Sequence, residues 1–267
     1  MLYFQYMPSS REITTMEKAA RAAGEILKNY FETPLVGEQK IDKSFVTKAD
    51  SEAELAIRNV LEKNFPGFGV LGEECGSITG ECEECWIIDP LDGTANFMNA
   101  IPIFCISIAL MKKGVITHGV IYHPLTDTMF TAAREKGAWV NGAPMHVSSD
   151  TKKNVVITFG KSSQKEDGDR VNTLFVAFQQ KGFRVRYLGS AALELAYLAR
   201  GGIDGYINMG TNLWDYAAGA LLVEEAGGKL TCFDGIKWEN TERHFVASNN
   251  HIHESLLECT KVMCSLS

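Results

Sequence analysis

Two aspartates, Asp89 and Asp92, stand three residues apart in the stretch WIIDPLDGTANF that begins at Trp86, with Pro90 between them and Gly93-Thr94 behind them. Two carboxylates that close repel unless a cation sits between them. A hard divalent ion such as Mg²⁺ gathers several oxygens, and the Leu91 carbonyl offers one more. Gly93 lets the backbone approach a ligand, and a short helix starting at Thr94 presents free N–H groups that suit a phosphate. Asp-x-x-Asp-Gly is also common in plain turns, so the pair alone reads as readily as structure. Two further stretches add acids. Leu71-Gly72-Glu73-Glu74 follows a short β-rich run, although two glutamates there also read as solvated edge charges. Trp214-Asp215-Tyr216-Ala217-Ala218-Gly219 puts Asp215 at the mouth of an apolar helix. As an N-cap, Asp215 contributes about 1 kcal/mol; a cap and a metal ligand are compatible, because the two carboxylate oxygens can divide the work.

Those acids need rigid supports. Ile13, Met16, Ala20, Ala23, Leu27 and Tyr30 recur at helical spacing and predict an amphipathic helix over residues 11–31. Ser51-Glu52-Ala53-Glu54 reads as a capping box opening a second helix, ended by Pro66-Gly67. A strand at 69–71 delivers Glu73. Trp86-Ile87-Ile88 reads as a buried strand with Asp89 at its C-terminal end, where sites on α/β frameworks lie. Pro90 then stops the pairing and turns the chain so that Asp92 returns toward Asp89. Runs at 103–111, 115–122 and 128–133 form an antiparallel meander. Beyond Ser148, strands at 155–159, 184–188, 205–209, 229–232 and 245–247 alternate with helices at 170–181, 191–200, 216–226 and from His253, as in an α/β half. The change near 148 divides the chain into residues 7–147, an α+β unit with most of the acids, and residues 148–267, an α/β unit that contributes Asp215. Residues 34–48 are polar without a period and predict a loop; its part from Gly37 to Lys48, with Lys40 and Lys43, is expected to close over the site and help order a weakly held third metal. The mixed charges of 161–170 predict a surface loop, Arg184 and Arg186 are expected to pair with acids, and His251-Ile252-His253 reads as a solvated helix start.

Composition bounds the function. In 267 residues, 45% are apolar and 22% charged, ordinary for a globular chain with ample core. The 26 basic and 33 acidic residues leave a net charge of −7, which argues against nucleic acid as the main partner. A small phosphorylated substrate stays compatible when metals supply positive charge locally. The longest apolar run, 103–111, is too short to span a bilayer. Seven irregularly spaced cysteines fit a reducing cytoplasm. Cys82-Glu83-Glu84-Cys85 beside Cys75 has zinc-like spacing, but no second such pair follows, so these read as loop thiols. Met1-Leu2-Tyr3-Phe4-Gln5 looks like the remains of a cleaved tag, with Met7 nearer the native start.

The stretch 86–97, and Trp214-Asp-Tyr-Ala-Ala-Gly continued by Glu225-Ala-Gly-Gly228, resemble the two signature motifs of the inositol monophosphatase family. Gly72-Glu73-Glu74 and Val46-Thr47-Lys48-Ala49-Asp50 sit where that family has its other acidic positions. The resemblance runs from about residue 11 over nearly the whole chain. It implies Mg²⁺-dependent, lithium-sensitive hydrolysis of sugar phosphates, a five-layer αβαβα sandwich and a homodimer. It implies two or three Mg²⁺ ions held by Glu73, Asp89, the Leu91 carbonyl, Asp92 and Asp215. Thr94 with Asp50 would orient the attacking water, Glu73 would steer its proton, and the N–H groups of Gly93 and Thr94 would hold the phosphate. Asp92 and Asp215, with Gly189, Ser190 and Ala191, would face the alcohol; read alone, Gly189-Ser190-Ala191-Ala192 is a helix start capped by Ser190. Many members carry a glutamate seven residues before the second-motif aspartate to grip ring hydroxyls. Asn208 stands there, neutral and carrying donors as well as acceptors. The implied reaction is direct attack of water on inositol monophosphate. Fructose 1,6-bisphosphate, 3′-phosphoadenosine 5′-phosphate, NADP and histidinol phosphate are alternative substrates. Phosphatases with an aspartyl nucleophile use Asp-x-Asp-Gly-Thr, one residue shorter than this stretch. Bacterial relatives bind RNA-processing or transcription partners, so a non-enzymatic interaction role is the competing class.

Overall fold

The computed structural model describes residues 10–33, 38–39, 45–46, 48–80, 83–149 and 154–264. Helix α1 (Arg11–Tyr30) begins where Ser10 Oγ accepts from the Ile13 N–H, and buries Ile13, Met16, Ala20, Ala23 and Leu27. After the short pair β1 (Glu38–Gln39) and β2 (Phe45–Val46) comes α2 (Lys48–Asn64). It starts three residues before the expected capping box. Asp50 therefore lies in its first turn, and Glu54, buried, is free to act elsewhere. Most of the polar stretch 34–48, with Lys40 and Lys43, lies outside the described residues, as does Cys82.

Eight strands form the first sheet: β3 (Gly69–Gly72), β4 (Gly76–Ile78), β5 (Glu84–Asp92), β6 (Cys105–Lys112), β7 (Val115–His123), β8 (Thr128–Ala133), β9 (Gly137–Val140) and β10 (Ala143–Pro144). Their order is β10-β9-β8-β7-β6-β5-β3-β4. The meander is antiparallel as expected, but β3 joins β5 in parallel. Between β5 and β6 sits the short helix α3 (Thr94–Met98). The second sheet holds β11 (Val156–Lys161), β12 (Arg184–Val185), β13 (Gly205–Met209), β14 (Lys229–Cys232) and β15 (His244–Ser248), in the order β12-β11-β13-β15-β14. Its helices are α4 (Lys165–Gln180), α5 (Ala191–Ala199), α6 (Leu213–Glu225) and α7 (His253–Cys264). Residues 161–170 are thus not a loop throughout: they end β11, bend, and open α4.

Alternation along the first sheet shows why both of its faces are covered. Trp86, Ile88, Ile106, Ile108 and Val120 pack with α1 and α2, while Ile87, Cys105, Ala109 and Ile121 pack with α5 and α6. Strands buried on both faces read as unbroken apolar runs, which these do. Apart from Glu194, helix α5 is apolar all round, the signature of a helix without a solvent face, and every residue from Ala191 to Ala199 except Tyr197 is buried. Tyr206, Phe245 and Ala247 of the second sheet close over the other side of α5 and α6. Ile157, Phe159, Ile207 and Val246 point the opposite way, onto α4 and α7. The layers are α1/α2, first sheet, α5/α6, second sheet and α4/α7: the expected five-layer sandwich.

Candidate active site

Strand β5 does not stop at Pro90. Pairing with β6 resumes beyond it, with Asp89 opposite Ser107 and Asp92 opposite Cys105, so three steps on β5 match two on β6. Residues three apart on a regular strand face opposite ways. The one-residue bulge cancels that parity and turns both aspartates toward one cavity. Pro90, which has no N–H to lose, suits the bulge. Asp89 Oδ1 also accepts from the Leu91 N–H at 2.9 Å and ties the bulge down. Gly93 follows at φ +97°, where an added Cβ would meet the Ile103 carbonyl at 2.9 Å. That left-handed turn starts α3. Thr94 Oγ1 lies 3.2 Å from Asp50 Oδ1 and 3.1 Å from the Leu91 carbonyl.

Glu73 comes from the parallel neighbour. Its N–H continues the ladder to the Ile88 carbonyl, and Glu54 of α2 anchors the next two residues by accepting from the Glu74 and Cys75 N–H groups, both at 2.9 Å. Gly72 makes room for this, since a Cβ there would meet Glu54 Oε2 at 2.5 Å. Asp215 comes from the layer behind. It is not the cap of α6: Asn212 is, and Asp215 Oδ2 accepts from the Asn212 N–H at 2.7 Å.

Ligand atoms of Glu73, Asp89 and Asp215 lie within 4.8 Å of one another. Burial, and then the charges of Glu73, Asp92 and Asp215, hold the Asp89 carboxyl well above the usual range. Burial, Glu73 and Asp92 do the same to Asp215. Among the described residues no ion pair involves Asp89 or Asp215. Oxygen-only, like-charged and rigidly held, the donor set fits a hard divalent cation.

Asp92 is engaged differently. Oδ2 accepts from Ser190 Oγ at 2.6 Å and from the Ala192 N–H at 2.8 Å, and Oδ1 accepts from the Ala191 N–H at 3.2 Å. Burial still holds the Asp92 carboxyl above its ordinary range, and these bonds offset that push only in part. Asp92 thus caps α5 from another layer, and the Ser190 hydroxyl, expected to be that cap, serves Asp92 instead. The segment before α5 is held twice more. Asn96 Nδ2 donates to the Ile103 and Leu188 carbonyls, both at 2.8 Å, and buried Glu194 accepts from the Leu188 and Gly189 N–H groups, both at 3.0 Å. Burial pushes the Glu194 carboxyl up to about 8.

Glu73, Asp89, Asp92 and Asp215 open on one cavity of about 680 Å³, together with Leu91, Gly93, Thr94, Gly189, Ser190 and Ala191; Asp50 stands behind Thr94 and is not among the lining residues. Asn208 does not reach it. It is fully buried; Tyr206 and Thr211 hydroxyls donate to its Oδ1, and its Nδ2 donates to the Arg243 carbonyl. Sequence reasoning missed Lys161, Ser162, Lys165, Tyr187 and Arg243, which also line the cavity. The charge run at 161–170 was the one available signal for the lysines; nothing local marked Arg243. Arg184 and Arg186 form no ion pair among the described residues. His253 is buried and bonded to Ser248 and Thr231, so it is not a solvated helix start.

A five-layer sandwich that gathers carboxylates at a strand bulge and a helix start defines a class of metal-dependent phosphatases. The chain belongs to the inositol monophosphatase family, whose profile matches residues 9–262. It is 40% identical over 263 residues to an inositol-1-monophosphatase of Mesorhizobium japonicum, covering 96% of this chain and 98% of that protein. It is 36% identical over 249 residues to the Nus factor SuhB of Pseudomonas aeruginosa, covering 90% and 92%. Among solved structures, the extragenic suppressor protein suhB of Bartonella henselae superposes with a TM-score of 0.88 at 38% identity, over 94% of this chain and 99% of that one.

Proposed function

We propose that the chain hydrolyses small phosphate monoesters, with Mg²⁺ held by Glu73, Asp89, the Leu91 carbonyl and Asp215. The observation that carries this reading is the cluster of Glu73, Asp89 and Asp215, with ligand atoms within 4.8 Å of one another. Mg²⁺, when bound, neutralises charge on the phosphoryl oxygens and makes a water more acidic. The chain's own groups do the rest. The N–H groups of Gly93 and Thr94, at the start of α3, hold the phosphate. Thr94 Oγ1 has one proton for two acceptors, Asp50 and the Leu91 carbonyl. Its lone pairs remain to accept from a water and aim it at phosphorus. Glu73 takes up the proton. Asp92 adds negative field and one lightly engaged oxygen, Oδ1, while Gly189, Ser190 and Ala191 border the alcohol. Both oxygens of Asp92 accept hydrogen bonds, which supports direct attack by water over an aspartyl nucleophile.

Inositol monophosphate is the first substrate to test, since it is the one in the name of the Mesorhizobium relative. The buried Asn208 leaves that preference without a carboxylate grip. A homodimer, two or three ions, lithium sensitivity and a cytoplasmic setting belong to the same reading. Cys75, Cys85, Cys105, Cys232 and Cys259 are free, and no helix among the described residues is long and apolar enough to cross a membrane. The test is phosphate release at fixed Mg²⁺, with and without Li⁺, from inositol 1-phosphate, β-glycerophosphate, fructose 1,6-bisphosphate, 3′-phosphoadenosine 5′-phosphate, NADP and histidinol phosphate. Mg²⁺-dependent turnover that Asp89→Asn abolishes supports it, and turnover of none overturns it. The name of the Pseudomonas relative favours a second reading, a protein-interaction role. A cellular phenotype unchanged by Asp89→Asn would support that role.

A further inference from the structure

The turn beside the alcohol, residues 188–191, is held from three sides. Asp92 accepts from the Ser190 hydroxyl and the Ala191 and Ala192 N–H groups in front, and Asn96 Nδ2 donates to the Leu188 carbonyl. From behind, Glu194 Oε1 accepts from the Leu188 and Gly189 N–H groups, both at 3.0 Å. Gly189 sits at φ +79°, where an added Cβ would press on Asn96 Nδ2 at 3.2 Å. Glu194 is the one acid in an otherwise apolar helix, and it is fully buried. It forms no ion pair among the described residues. Its Oε2 has no hydrogen-bond partner among them. Thr158 of β11 faces the same carboxyl, and its buried Oγ1 is also unpartnered among the described residues. The other titratable groups that face Glu194 are Asp92, Tyr187 and Tyr206, and burial holds both phenols in their neutral form.

An ionised carboxylate oxygen that is buried and has no donor is costly, and Asp92, the acid that faces this one, carries the same sign. A protonated Oε2 needs an acceptor only, and the Thr158 hydroxyl can supply it. Burial, with Asp92 adding to it, pushes the carboxyl up to about 8, which agrees with a neutral group at neutral pH. We propose that Glu194 is a positioning residue of the alcohol side that works as a neutral acid: its Oε2–H donates to Thr158 Oγ1, and its Oε1 holds the turn that presents Gly189, Ser190 and Ala191. Loss of the proton sets a second negative charge behind Asp92, in the wall that receives a phosphate ester. Ester affinity therefore falls as pH rises through the range in which Glu194 ionises, whereas a purely structural cap would serve in either state. This inference rests on the hydrolytic reading above and adds to it a residue that sets its alkaline limit.

The experiment uses the Mg²⁺-loaded protein and two variants, Glu194→Gln and Glu194→Ala. Glutamine keeps the Oε1 acceptor, offers an N–H to Thr158 and cannot ionise. Infrared difference spectra between wild type and Glu194→Gln should show a protonated-carboxyl C=O band at pH 7 that fades by pH 9. An ionised carboxylate band in its place at pH 7 overturns the proposal. For the ester turned over fastest, the KM of wild type relative to Glu194→Gln should be near one at pH 7. By pH 9 that ratio should rise about 10-fold, the size of one added charge in the cavity wall, while the ratio of kcat values stays constant. Glu194→Ala, which loses the hold on both N–H groups, should raise KM about 10-fold at either pH. A wild-type to Glu194→Gln ratio that stays flat from pH 7 to 9 overturns the proposal, as does a wild-type KM in Glu194→Ala. If no ester is hydrolysed, the hydrolytic reading fails instead, and calorimetric binding of inorganic phosphate at pH 7 and 9 takes the place of KM. Binding that weakens at pH 9 in wild type but not in Glu194→Gln supports the role of Glu194, and equal weakening overturns it.

Discussion

Asp89 and Asp92 belong to one motif but have opposite relations to the fold. Asp89 is buried among like charges, whereas Asp92 is buried against donors. In metal-free protein, Asp89→Asn should therefore raise stability by roughly 1 kcal/mol, since removing the charge relieves repulsion while the amide oxygen still accepts from Leu91. Asp92→Ala should lower it by about 1–2 kcal/mol, because Ser190 Oγ and the Ala191 and Ala192 N–H groups lose their acceptor in a buried place. Denaturant titration in EDTA measures both. Shifts of the same sign would contradict the division of labour. Both variants should lose Mg²⁺-dependent turnover.

At the scale of elements, the site depends on where helices begin and turns are pinned. Glu54 of α2 holds the turn after β3 and so aims Glu73. Glu54→Ala should cost about 1–2 kcal/mol, as two half-buried N–H groups lose their carboxylate acceptor. It should also raise the Mg²⁺ concentration for half-maximal activity; an unchanged Mg²⁺ dependence would show that Glu73 is aimed without it. Far from the site, α7 starts at His253, whose ring bridges Ser248 Oγ at 2.7 Å and Thr231 Oγ1 at 2.9 Å. Burial pushes its pKa down to about 4. The unfolded chain takes up this proton near pH 6.5 and the fold resists it to about 4, so stability is intact above 6.5 and lost as pH falls through that window. The loss is about 2 kcal/mol by pH 5. In His253→Asn the slope of unfolding free energy between pH 7 and 5 should flatten; an unchanged slope would place the acid sensitivity elsewhere.

At the scale of the molecule, α5 and α6 form the shared middle layer. Residues 7–147 alone would leave Ile87, Ala109, Ile121 and Phe130 uncovered, since their partners lie on those helices. The division near residue 148 therefore marks a change of pattern, and we expect it to coincide with no independent folding unit. Calorimetry of the whole chain should give one unfolding transition. Mg²⁺ should raise its midpoint, because the native state alone assembles the site, with about 2.7 kcal/mol gained at a hundredfold excess over Kd. Two separable transitions would refute this coupling.

Much of this was legible in the residues. The acids at 73, 89 and 215, the glycines that free the backbone and the apolar runs of two-faced strands are local features, and periodicity reports them directly. Errors fell where a contact spans layers. Asp92 does face the cavity beside Asp89, but through a bulge paired with β6 rather than a free turn, and its carboxylate also caps α5. Ser51 and Asp215 looked like caps because cap chemistry is degenerate along the chain. Asn208 looked like a pocket residue because spacing from Asp215 places it in sequence, whereas Tyr206 and Thr211 bury it in space. The sequence by itself determined which chemistry the chain carries and which faces must be covered, because side-chain type and period are written in order. The tertiary structure alone decided which charges share one cavity. Acids from β3, β5 and α6 and cations from β11, α4 and the approach to β15 meet only after the middle helices dock between the two sheets.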